Sequence, residues 1–224
     1  ASDVYKRQTR ARPDRHLELH LGMAGRLFLA APDYEPAKHD HFVLRTAGLS
    51  LVYSDYRQFG RVFLHEPTTD DPWAALPPQP LDRPVTVRHL RQFTERRPRA
   101  AVKALLLDQA VCPGVGNWMA DEICWRLPTH PATPVGQLDP AHLRRVTRQV
   151  CRGALRHVAD RNPHRDGAEG FTPGHYVEHV PPRTWLFQHR WKAGGSCPRC
   201  HSTLERSTVA TRSTAWCPRC QRAE

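Results

Sequence analysis

Apolar residues alternate with polar ones in the first third of this chain, then recur every three to four residues after the mid-80s. Residues 17–29, LELHLGMAGRLFL, alternate on either side of a Gly-Met-Ala-Gly break. Residues 42–53, FVLRTAGLSLVY, read as two short strands with a turn at Ala47-Gly48, and residues 59–64, FGRVFL, as one more. Alternation with turn signals at this spacing predicts an antiparallel β region. Pro67, Pro72, Pro77, Pro78, Pro80 and Pro84 follow, a linker composition that removes backbone donors from any sheet or helix. Helical periodicity then predicts a short amphipathic helix over Val87 to Phe93. A second helix is predicted over Ala100 to Ala110, with Val102, Leu105, Leu106 and Ala110 on its apolar face. Pro113-Gly114-Val115-Gly116 must break it, and Asn117 is a suitable N-cap for a third helix reaching about Arg126. A longer helix is predicted from Pro140 to about Ala159, with Leu143, Val146, Val150, Ala154 and Val158 facing a core. Residues 160–182 are rich in Pro, Gly and His and read as a long loop.

Charge narrows the partner. Lys and Arg outnumber Asp and Glu by 33 to 22, for a net charge of +11. Such a surplus suits a polyanion, nucleic acid above all, although a merely basic soluble domain carries it too. No apolar run approaches the roughly 20 residues that span a bilayer, and no signal peptide is visible. The opening residues show neither periodicity and read as a truncated or foreign end. Arg144, Arg148, Arg152 and Arg156 form a drifting basic stripe that could follow a DNA backbone but reads first as a solvated outer face.

Seven cysteines point to metal or free thiols before disulfides. Cys197-Pro-Arg-Cys200 and Cys217-Pro-Arg-Cys220 are two C-x₂-C knuckles with sixteen residues between them. Each knuckle supplies two thiolates from one tight turn, and Leu204 to Trp216 can form a hairpin turning near Ala210-Thr211-Arg212. The expectation is one structural zinc, closed to substrate; two disulfides are the alternative. Cys112, Cys124 and Cys151 stand alone in helical segments and read as small buried apolar residues.

Three stretches together resemble the formamidopyrimidine-DNA glycosylase and endonuclease VIII family. One is the run AVKALLLDQAVCPGVGN, residues 101–117, continuing to His130-Pro131. Another is the zinc hairpin with Val209-Ala-Thr-Arg-Ser-Thr214. The last is His20-Leu-Gly-Met-Ala-Gly25 with Ser54-Asp-Tyr-Arg-Gln-Phe-Gly60. The resemblance implies an α+β multidomain fold: a partial N-terminal antiparallel β-sandwich over 1–72, a Pro-rich linker over 73–84, a helix–two-turns–helix domain over 85–190, and a C-terminal β-hairpin zinc finger over 191–224. It also implies phosphate contacts from His20, Lys103, Asn117 and Arg212, and a trio, Met23, Arg57 and Phe59, that fills the gap left by an extruded nucleotide. Read without the family, Asn117 is a phosphate ligand or only an N-cap, Lys103 is an ordinary solvated lysine, and Met23 and Phe59 are core residues.

By resemblance the chemistry needs an N-terminal proline amine followed by a glutamate, and this chain carries neither. No catalytic residue is therefore assigned, and the chain as given is expected to be inactive. The full-length parent is expected to excise 8-oxoguanine and formamidopyrimidines from damaged double-stranded DNA and to cleave at the abasic site. It is expected to act as a monomer in a bacterial cytoplasm at the nucleoid. The rival readings are a non-catalytic DNA-binding module of the same fold, an endonuclease VIII-like glycosylase for oxidised pyrimidines, and an RNA-associated zinc protein.

Overall fold

In a computed structural model the described residues are 16–22, 24–66, 76–160, 181–191 and 194–222. Met23, most of the proline-rich stretch before Leu76 and nearly all of the 160–182 loop lie outside them. The chain divides into two compact units, with the break at Leu76/Pro77.

Among the described residues the first unit holds five short strands in two antiparallel sheets. β1 (His16–His20) pairs with β5 (Arg61–His65), while β2 (Arg26–Ala30), β3 (Asp40–Arg45) and β4 (Ser50–Ser54) lie in the order β2-β4-β3. The alternating stretch 17–29 is thus cut by its Gly-rich break into strands of different sheets. β4 is the buried member, with Ser50, Val52 and Tyr53 inside, because it is hydrogen-bonded on both edges. The turn from β3 to β4 is closed by Thr46, whose backbone N–H and hydroxyl both donate to the Leu49 carbonyl.

The second unit carries α1 (Val87–Arg96), α2 (Val102–Leu107), α3 (Asn117–Arg126), α4 (Pro140–Asp160) and the hairpin β6 (Glu205–Val209) and β7 (Arg212–Trp216). Thr86 caps α1 through its hydroxyl. Leu90, Val102, Leu105, Leu106, Val111, Val115, Ile123, Val135, Leu143, Val146 and Val150 form one core, with Ala154 packed partly against it. α2 is shorter than its sequence pattern predicts. It stops at Leu107 because Asp108 opens a turn: its carboxylate accepts the Ala110 N–H, and its carbonyl accepts those of Val111 and Cys112. Cys112 and Cys124 are buried and Cys151 partly so; burial pushes the Cys112 and Cys151 thiols up to about 12, and Cys124 also upward. These thiols are inert at neutral pH, as small core residues should be.

The arginine stripe of α4 is not a uniformly solvated face. Arg144 donates to the Val85 carbonyl at 2.6 Å, and Arg148 to those of Pro80 and Asp82 at 2.7 and 3.2 Å. These two tie the segment entering α1 onto α4; Arg152 and Arg156 remain exposed.

Candidate nucleic-acid interface and metal centre

The two turns between α2 and α3 depend on Gly114, whose φ of +81° is left-handed and therefore suited to glycine. Its N–H donates to Gln109 Oε1, and Gln109 Nε2 donates to the Leu107 and Val115 carbonyls, so one amide side chain staples the loop. α3 begins with Gly116 as N-cap and no side chain caps it. Asn117 is therefore the first helical residue and not the cap. The first-turn N–H groups of α3 have no partner inside the helix and create a positive site for an anion. The Asn117 amide points instead to the hairpin, donating to the Ser213 carbonyl at 2.9 Å.

Arg212 is exposed and opens β7, directly after a two-residue turn in which Ala210 and Thr211 both have positive φ, 51° and 60°. This primed geometry matches the twist of the ribbon. Arg212 pairs with Val209, and beside it the second strand is gripped from α2 and α3.

Lys103 does not lie free for phosphate. Its side chain is 0% exposed, and Nζ donates to Asp121 Oδ1 at 2.6 Å, Thr214 Oγ1 at 2.7 Å and the Ser213 carbonyl at 2.9 Å. An ammonium has three protons, so its donors are fully occupied inside the fold. Burial lowers its pKa, against which the Asp121 carboxylate works. Arg190 meets the other Asp121 oxygen at 2.6 and 3.0 Å. Asp121 and Arg190 were not legible as site residues, since their partners lie 18 and 69 positions apart in sequence.

The four knuckle cysteines converge. All four Sγ atoms lie within 4.8 Å of one another, with Cys200 at 3.4 Å from Cys217 and Cys220, and Cys197 at 4.0 Å from Cys220. A tetrahedral zinc with Zn–S bonds of about 2.3 Å needs sulfur–sulfur edges of about 3.8 Å, so the cage fits the ion. Backbone N–H groups of Arg199 and Cys220 and the Trp125 indole point at these sulfurs at 3.3–3.4 Å, supporting negative charge on them. Gln221 locks the second knuckle to the segment after α3: its side-chain Oε1 accepts the Cys217 N–H and its Nε2 donates to the Thr129 carbonyl.

In the first unit, His20 ends β1 exposed. Its Nδ1 accepts the Gly22 N–H at 3.2 Å, which assigns the ring proton to Nε2 as an outward donor. Gly22 has φ +60°, and a Cβ there would meet the Phe59 carbonyl carbon at 2.7 Å, so only glycine lets the two loops touch. Arg57 and Phe59 lie together: the guanidinium sits 4.9 Å from the ring centroid, and Phe59 is 54% exposed, not core. Buried Asp55 shapes this loop by accepting the N–H groups of Arg57 and Gly60 and the Tyr53 hydroxyl. Burial pushes the Asp55 carboxyl upward, but these donors outweigh it and leave it below the usual carboxylate range. Met23 lies outside the described residues.

Comparison with known proteins gives these sites a common frame. Residues 6–62 match the formamidopyrimidine-DNA glycosylase N-terminal domain, residues 76–160 the H2TH domain of the same enzymes, and residues 194–223 a zinc finger found in FPG and IleRS. A formamidopyrimidine-DNA glycosylase of Chloroflexus aurantiacus is 37% identical over 212 residues, spanning 92% of this chain and 72% of the relative. The enzyme of the same name from Chloroflexus aggregans is 39% identical over 215 residues, 92% of this chain and 73% of its own.

The chain belongs to the formamidopyrimidine-DNA glycosylase family.

It is thus a base-excision repair glycosylase by family, with a DNA-binding helical domain and a zinc finger whose four cysteines hold one structural zinc. The α+β multidomain expectation is borne out. A Lactococcus lactis enzyme of this family, in complex with DNA containing an abasic site, superimposes with a TM-score of 0.77 at 26% identity, covering 98% of this chain and 80% of that one. MutM in complex with DNA containing carbocyclic 8-oxo-G gives 0.73 at 26% identity, covering 94% and 76%. No helix among the described residues is long and apolar enough to cross a membrane.

Proposed function

We propose that the full-length protein excises oxidised purines, 8-oxoguanine and formamidopyrimidines, from duplex DNA and cleaves the resulting abasic site, acting as a monomer on the chromosome. The observation that carries this reading is the meeting of Asn117, the uncapped start of α3 and the Arg212 strand of the zinc hairpin at one place. Helix N–H groups and a guanidinium there offer the complementary donors that a DNA phosphate takes, and the Asn117 amide ties the two elements together. His20, on the first unit, is read as a further phosphate donor, and Lys103 serves the hairpin by holding it from behind. Arg57 and Phe59, with Met23, fill the stack when the damaged nucleotide leaves it. The nucleophilic amine that the family chemistry uses is not assigned to any described residue. A chromosomal substrate agrees with a cytoplasmic, nucleoid-associated location in a bacterium.

Arg212→Ala tests the phosphate site. Binding to damaged and undamaged duplex should weaken alike, and the dependence of log affinity on log salt should flatten by about one unit. An unchanged affinity and slope would overturn the assignment. The void-filling role predicts a different split. In the full-length protein, Phe59→Ala should slow 8-oxoguanine excision from a paired duplex about tenfold, through lost stabilisation of the unstacked state. Cleavage of a pre-formed abasic site should change much less, because little unstacking remains. Equal loss in both assays would assign Phe59 to another step.

A further inference from the structure

A two-residue turn makes Val209 and Arg212 a hydrogen-bonded pair, and the alternation of an antiparallel ribbon then turns the backbone groups of Ser213 and Ala215 away from β6. A bare strand edge would leave those groups to water. Here one group of each residue meets side chains. The Ser213 carbonyl receives Lys103 Nζ and Asn117 Nδ2, each at 2.9 Å, with Arg190 Nη2 at 3.4 Å. The Ala215 N–H donates to Asp121 Oδ2 at 3.2 Å. Lys103 also holds the Thr214 hydroxyl. Three consecutive residues of β7, directly after Arg212, are thereby clamped by a buried lysine, aspartate and arginine from α2, α3 and the segment before the first knuckle. Asp121 is the hub: both cations end on its carboxylate, and its side chain is 0% exposed.

We propose that Asp121 and Arg190, acting with Lys103, are positioning residues for the phosphate grip: they fix the edge of β7 and so fix the backbone from which Arg212 projects. None of the three touches DNA in this assignment. A guanidinium on a fixed strand meets a phosphate without first losing backbone freedom, whereas one on a loose ribbon loses part of its contact free energy to ordering. The inference rests on the phosphate reading of Arg212, and the test separates the two.

The test is a mutant cycle on duplex binding across a salt series, using a duplex with a stable abasic-site analogue. In the otherwise unchanged chain, Arg212→Ala should cost about tenfold in affinity, as loss of a hydrogen bond to a charged group does, and about one unit of salt slope. The background variant is Lys103→Met with Asp121→Leu and Arg190→Met, because an apolar replacement of a complete buried ionic cluster can retain stability where a single removal cannot. With one zinc bound and a normal melting temperature, this variant should show less than about a threefold effect of Arg212→Ala, the signature of coupled sites. A full tenfold effect there would overturn the inference. Should the triple variant fail to fold, Thr214→Val decides, since it removes one acceptor of Lys103 at nearly constant shape. The Arg212 effect should shrink part-way in that background, and an unchanged effect would overturn the inference. If Arg212→Ala is silent in the otherwise unchanged chain, the phosphate reading itself falls and this inference falls with it. If only the background effects are missing, positioning alone is wrong.

Discussion

Asp121→Ala is expected to destabilise the helical and zinc-finger unit by about 3–5 kcal/mol, the usual result of removing one partner from a buried ionic cluster. The carboxylate takes hydrogen bonds from Lys103, Arg190 and the Ala215 N–H, and no part of its side chain reaches solvent. Without it, two buried cations face each other with the Ser213 carbonyl, the Thr214 hydroxyl and the Trp191 ring under Arg190 for compensation, and no counter-charge. For a domain of this size the loss should lower the melting temperature by about 10 °C or more. Thermal unfolding followed by circular dichroism checks it. A change under about 1 kcal/mol would mean that the cluster is hydrated in solution, which its burial argues against.

Loss of the metal should have the larger effect on the hairpin itself. Cys197→Ser is expected to abolish stoichiometric zinc and unfold β6 and β7, since structural zinc supplies on the order of 10 kcal/mol to comparable small modules. The apolar support is thin: Trp125, Leu186 and Leu204 surround the cysteines, and four of the five β6 residues are exposed. Metal analysis should read one zinc per chain in the unaltered protein and none in the variant. Affinity for duplex should fall at least as far as in Arg212→Ala, because Arg212 loses its strand. Retained zinc in Cys197→Ser would contradict four-cysteine ligation.

Local chemistry was legible and tertiary chemistry was not. The strands, the hairpin and the two knuckles follow from alternation, turn residues and ligand spacing, all properties of neighbours in sequence. The start of α3 was placed within a residue, yet the role of Asn117 differed, because a helix cap and a cross-domain donor are the same residue type at the same position. Lys103 reads from the sequence as an ordinary solvated lysine on the Ala100 to Ala110 helix; what buries it is an aspartate one helix later and a strand more than a hundred residues on. A signal for Asp121 and Glu122 did exist. They stand in Met119-Ala-Asp-Glu-Ile-Cys-Trp125, a helical stretch with apolar residues on every face. A helix surrounded on all sides must pair its charges inside. Glu122 does so with Arg126 at 2.8 Å and the Leu186 N–H at 2.7 Å. Asp55 was missed for a different reason, since an aspartate before a turn is ordinary and only its burial shows that it organises the loop.

A two-stranded ribbon has two margins, and either one can template pairing between molecules. In this protein one margin is closed by side chains. The Ser213 carbonyl and the Ala215 N–H are not available to a foreign strand, because asparagine, lysine and aspartate occupy those places. The other margin belongs to β6, which is five residues long, with Glu205 and Arg206 exposed at its start. The hairpin is therefore protected against edge-to-edge self-association on one side by side chains that occupy its Ser213 carbonyl and Ala215 N–H, and on the other by brevity and charge. A repair protein that concentrates along one polyanion brings many copies of this ribbon together, and these two devices should keep them from joining into fibres.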